Sequence, residues 1–164
     1  MINTFKSGSG DYVANYIINL MGNLCELFIL HFFFKKFKTK YTKNKTIILS
    51  IIFMMIQFVN TNLFLSKSYF IILGTFLFCF FISLLYENSW LNRILFSLFL
   101  YLILALPEII IGMTLSLIFK IDISYTQNNI LIFAICTLTS KFLSYVFVLI
   151  TQKRNFKLEY SSSK

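Results

Sequence analysis

Three long apolar stretches of this chain each carry one ionisable residue near the middle: Glu26, Glu108 and Lys141. Their neighbours are largely Leu, Ile and Phe, which prefer hydrocarbon to water. A charge at the centre of a bilayer costs about 2.5–3.5 kcal/mol on insertion scales, so such residues face a bundle interior, take partners there and mark a ligand or ion path. The chain is therefore expected to cross a membrane and to keep a polar site inside.

Composition agrees. Of 164 residues, 58% are hydrophobic and 13% charged, where soluble domains average about 45–50% and about 25%. One Pro and five Gly leave little punctuation for a loop-rich or all-β fold. Several apolar runs reach the roughly 20 residues a spanning helix needs. The ten-residue alternation of a membrane barrel does not run through the chain.

The sequence predicts an all-α, polytopic transmembrane helix bundle of about five spans: Tyr12–Phe34, Thr46–Leu65, Tyr69–Tyr86, Ile94–Phe119 and Ile130–Thr151. Residues 1–152 are read as one transmembrane domain and 153–164 as a short basic tail. The short link Ser66-Lys67-Ser68 makes the second and third spans an antiparallel hairpin. The first apolar run is too long for a signal-peptide core and ends in lysines rather than at a small-residue cleavage site, so it is read as a retained helix.

The net charge of +9 is distributed unevenly. Lys35, Lys36, Lys38, Lys40, Lys43 and Lys45 follow the first span, Arg93 lies between the third and fourth, and Lys153, Arg154, Lys157 and Lys164 fill the tail. The opposite side holds only Lys6, Lys67 and Lys120. The positive-inside rule then sets the N-terminus outside and the C-terminus in the cytoplasm, as an odd number of spans requires. The lysine cluster reads as a topology signal with attraction to anionic lipid. No nucleic-acid motif accompanies it, so nucleic acid is not an expected partner. Trp90, Tyr86 and Tyr125 are read as aromatic-belt anchors.

Inside the first span, Asn15, Asn19, Gly22, Asn23 and Glu26 recur every three or four residues and share one helix face. That face must meet other helices or a wet cavity; it serves as interhelical packing or as a recognition groove opening outward. Ser97, Tyr101, Glu108 and Gly112 share a face of the fourth span, and Pro107 beside the glutamate predicts a kink or hinge. In the fifth, Thr137, Lys141 and Ser144 align, and Lys141 is the base able to neutralise Glu108 or Glu26. His31, about opposite the Asn/Glu face, is read as a headgroup contact. One histidine excludes multi-His metal chemistry. Cys25, Cys79 and Cys136 form no metal spacing and are read as small hydrophobes. No catalytic residue, metal or cofactor is expected: the chain has no nucleophile–base pair and no glycine-rich phosphate loop, so it is not read as an enzyme.

The segment Glu26-Leu27-Phe28-Ile29-Leu30-His31-Phe32-Phe33-Phe34-Lys35-Lys36-Phe37 resembles the first-helix exit of accessory-gene-regulator (AgrC-like) sensor histidine kinases of low-GC Gram-positive bacteria. Trp90-Leu91-Asn92-Arg93-Ile94-Leu95-Phe96, followed by Leu106-Pro107-Glu108-Ile109-Ile110, is similar to later helices of that sensor region. The resemblance implies a membrane domain that receives an extracellular peptide signal and passes it to a cytoplasmic kinase. No phosphoacceptor helix or ATP-binding domain follows the last span in this sequence, so it implies the sensor region alone.

Three functions fit these features. The first is a sensor or receptor module of the cell membrane for a peptide or small-molecule signal. The second is a small-solute transporter or importer subunit. The third is a bacteriocin-immunity-type membrane protein. Besides the lipid bilayer, the expected partners are a peptide ligand and either a second copy or another membrane protein. The candidate site comprises Asn15, Asn19, Asn23, Glu26, Tyr101, Glu108 and Lys141, with Pro107 as hinge.

Overall fold

A computed structural model describes residues 9–63, 68–117, 120 and 129–153. Among the described residues there are five helices: α1 (Ser9–Phe34), α2 (Lys43–Leu63), α3 (Ser68–Ser83), α4 (Trp90–Leu117) and α5 (Ile130–Lys153). Four of them, α1, α2, α4 and α5, are long and apolar enough to cross a membrane. The third is a shorter apolar helix of 16 residues, about 24 Å at 1.5 Å per residue. Of the about five spans expected from sequence, four are thus helices long enough to cross a membrane and the third is a shorter helix. The hairpin link at residues 66–67, the Tyr125 anchor and the tail beyond Lys153 lie outside the described residues.

Local chemistry explains the helix ends. Ser89 caps α4: its carbonyl accepts from Arg93 N and its Oγ from Asn92 N, the usual role of a serine before a first turn. That cap starts the helix at Trp90, four residues before the expected start of the fourth span at Ile94. Asn129 caps α5 in the same way, with Oδ1 accepting from Ile132 N. The third helix stops at Ser83, not Tyr86, because the chain tightens into turns through Leu84, Leu85 and Tyr86.

The helices pack in chain order as a ring: α1 on α2, α2 on α3, α3 on α4, α4 on α5, and α5 back on α1. Asn19 meets Asn62 while His31 meets Ser50, so α1 and α2 run antiparallel. Gly22 meets Thr137, Glu26 meets Lys141 and Phe32 meets Gln152, so α1 and α5 run parallel.

One end of the bundle is locked by backbone pairing. Lys40 N donates to Leu85 O and Glu87 N to Lys38 O, both at 2.9 Å, forming an antiparallel bridge between Thr39 and Tyr86. Gln152 Nε2 donates to Phe32 O at 2.6 Å, fastening the end of α5 to the end of α1. The lysine-rich link, Arg93 and Lys153 therefore share one end, as the charge pattern predicts.

The buried core is concentrated toward this end, around Leu30, Phe34, Ile82, Leu100 and Leu104. Large apolar side chains cover the outside, including Ile17, Phe28, Ile48, Leu98, Ile109 and Phe142. Water would penalise so much exposed hydrocarbon, whereas lipid accepts it. In lipid every backbone polar group must be satisfied within its own helix, which is why these runs are helical. The chain is a multi-pass helical membrane protein.

Candidate functional site

The three intramembrane ionisable residues come together. Lys141 Nζ, from α5, lies 2.5 Å from Glu26 Oε1 of α1 and 2.5 Å from Glu108 Oε1 of α4. One ammonium thus joins three helices. Its stem reaches Glu26 past Gly22: a Cβ on Gly22 would stand 3.2 Å from Thr137 Cγ2 and 3.9 Å from Lys141 Cε. Glycine there allows α1 and α5 the close approach that membrane helices use in place of a hydrophobic driving force.

The two carboxylates differ. Glu26 is buried, and its Oε2 has no hydrogen-bond partner among the described residues. The Glu108 side chain is 54% exposed on the bundle surface. With all three groups ionised, the cluster carries one net negative charge. The sequence offered either Glu108 or Glu26 as partner for Lys141; the fold supplies both.

The asparagine stripe divides. Asn19 Nδ2 donates to Asn62 Oδ1 of α2 at 3.0 Å. Asn23 Nδ2 turns back to Asn19 O on its own helix, at 2.9 Å. Asn15 Oδ1 is buried with no partner among the described residues. The sequence reading missed the other side of this region. Gln57 Nε2 donates to Thr75 Oγ1 at 3.0 Å, and Asn60 Nδ2 to Phe70 O at 3.2 Å. The signal was present on α2: Thr46, Ser50, Met54 and Gln57 recur at helical spacing and are all buried. Pro107 lies next to Glu108 in the chain, but Tyr101 does not join the cluster. Its half-buried ring meets Phe76 of α3 edge-on, with centroids 6.5 Å apart. Pro107 is buried, and α4 runs through it to Leu117.

Two interfacial readings are corrected. His31 binds inside the bundle: Nδ1 lies 2.5 Å from Tyr86 Oη and Nε2 lies 2.8 Å from Ser50 Oγ. Ser50 Oγ in turn donates to Thr46 O at 2.8 Å. Every group is satisfied if the Tyr86 hydroxyl donates to Nδ1 and Nε2–H donates to Ser50. Tyr86 is no belt anchor either, since its ring is buried and stacks on Phe34 at 4.7 Å. Burial pushes the Tyr86 phenol up to about 12. Backbone pairing between the two links pulls this residue inward, an effect hydropathy cannot register. Trp90 remains on the outside, 62% exposed.

No protein-family model, no curated protein and no solved structure matches the chain.

Proposed function

We propose that this protein is a signal-sensing module of the cell membrane, with Glu26, Lys141 and Glu108 as its switch. The observation carrying this reading is one lysine shared by two carboxylates on different helices, one enclosed and one half-open. An ammonium held by two acceptors can favour either, giving α4 two ways to sit against α1 and α5. A ligand acts only through different affinity for such arrangements. Pro107, one residue before Glu108, removes a backbone donor where α4 would flex. The resemblance to accessory-gene-regulator sensors accords with this role, with a secreted peptide as signal. The lysine-rich end is assigned to the cytoplasm by the positive-inside rule. A phosphatase fused after Lys153 should therefore be inactive.

The purified chain in nanodiscs would be titrated with peptides encoded beside its gene, reading the emission of Trp90, its sole tryptophan. A saturable shift, weakened in Glu108→Gln, is expected. A flat titration sinks the proposal.

The net negative charge of the cluster favours a second reading, a proton-coupled small-solute transporter, because one added proton neutralises the site. Solute uptake into vesicles driven by a pH gradient, and abolished by Glu108→Gln, would select it.

A further inference from the structure

At the lysine-rich end, a groove of about 800 Å³ opens between α1, α4 and α5. Its floor is aromatic: Phe33, Phe37, Phe96 and Phe99. These rings pack on one another, with centroids 5.4 Å apart for Phe37 and Phe96 and 5.8 Å for Phe33 and Phe96. Its rim is polar, with Lys36 and Lys38, the carboxylate of Glu87, and Asn92 and Gln152. We propose that this groove is a specific site for one anionic phospholipid, its phosphate at Lys36 and Lys38 and the start of an acyl chain on the phenylalanine floor.

Four observations support this occupant. The groove changes from apolar to cationic within a few residues of the end of α1, where hydrocarbon gives way to headgroups. Leu95 lines it and is 51% exposed on the lipid-facing surface, so a lipid can enter sideways without leaving the bilayer. The polar wall is fixed in place: Lys36 Nζ lies 3.3 Å from Gln152 O, and the Gln152 amide is tied to Phe32 O. Charge is complementary. Among the described residues at this end Glu87 is the sole carboxylate, 3.8 Å from Lys38, against exposed Lys35, Lys36, Lys38, Lys40, Lys43 and Lys45. Basic pockets between membrane helices are a recurrent way of holding anionic headgroups. A water-soluble acidic peptide would leave the aromatic floor without a counterpart.

The full chain in detergent would be titrated with phosphatidylglycerol and, separately, phosphatidylcholine, and bound lipid counted by native mass spectrometry. One retained phosphatidylglycerol per chain is expected, with phosphatidylcholine retained far less. Each basic side chain near a membrane surface contributes enough that K36Q/K38Q should lower phosphatidylglycerol occupancy by about tenfold or more. K43Q/K45Q makes the same charge change outside the groove and should leave occupancy within about twofold. Leu95→Trp, which fills the groove without altering charge, should also lower it.

Equal loss from the two lysine pairs would mean diffuse surface attraction and would overturn the site. So would an unaffected Leu95→Trp variant. Displacement of the lipid by inorganic phosphate at equal concentration, or preferred retention of an acidic peptide, would overturn it as well.

Discussion

Two polar regions share helix α1 and solve the same problem differently. Toward α2 and α3, the contacts are neutral: Asn19 with Asn62 across the α1–α2 contact, and Gln57 with Thr75 across the α2–α3 contact. Toward α4 and α5, the contact is ionic, and two carboxylates compete for one ammonium. Each of the neutral pairs joins one donor to one acceptor across two helices. The ionic region holds more acceptors than donors and spans three helices. Surplus acceptor capacity is what a bistable or proton-binding element needs, and it is what simple packing avoids. The ionic side is therefore the better candidate for function and the neutral side for structure.

The largest expected effect breaks the ionic side. Lys141→Met strands two carboxylates in hydrocarbon, and removing one partner of a buried pair costs about 3–5 kcal/mol. Yield of folded, monodisperse protein in detergent should fall sharply. Adding Glu26→Gln or Glu108→Gln to Lys141→Met should partly restore it. If neither double variant exceeds Lys141→Met alone, the three residues do not act as a unit.

Next comes the close approach of α1 and α5. Gly22→Val inserts atoms against Thr137, and overpacking of this kind typically costs about 1–3 kcal/mol. Because Lys141 passes beside Gly22, the variant should also disturb the ion cluster. Its defect should be less than additive with Lys141→Met in thermal unfolding followed by Trp90 emission. Full additivity would separate the helix contact from the charges.

The neutral side should be tolerant. Hydrogen bonds between membrane helices average about 0.6 kcal/mol, so Asn62→Ala should lower thermal stability only slightly and leave any ligand response intact. A large loss of response would move the functional site to α2. Gly74 is the exception on this side. A Cβ there would run into the Asn60 amide, so Gly74→Ala should displace Asn60 from Phe70 O and exceed the effect of Asn62→Ala.

A last effect is confined to alkali. The Tyr86 phenol is raised from 10.0 to about 12 in the folded chain. Its contribution is fully present below about pH 10, where the phenol is neutral in both states, and is lost as pH rises through about 12. Unfolding temperature should fall across that window, and fall less in Tyr86→Phe. Parallel curves would show that another group titrates there.

Much of the ionic side was legible without coordinates. A charged residue in an apolar helix has few affordable environments, so Glu26, Glu108 and Lys141 had to find one another or water. Geometry alone could assign both carboxylates to one lysine, because that depends on three helices meeting at equal depth. Helical spacing groups Tyr101 with Glu108 by face, yet α4 presents that part of its face to α3.

Helical class and the location of charge at one end follow from sequence, since hydrocarbon length and backbone hydrogen bonding leave a chain like this few alternatives. Depth, register and neighbour were decided only by the tertiary structure. His31 and Tyr86 show why. Both look interfacial by position, but the bridge between Thr39 and Tyr86 draws the third helix's exit against the first, and a 2.5 Å contact closes between residues 55 apart in the chain.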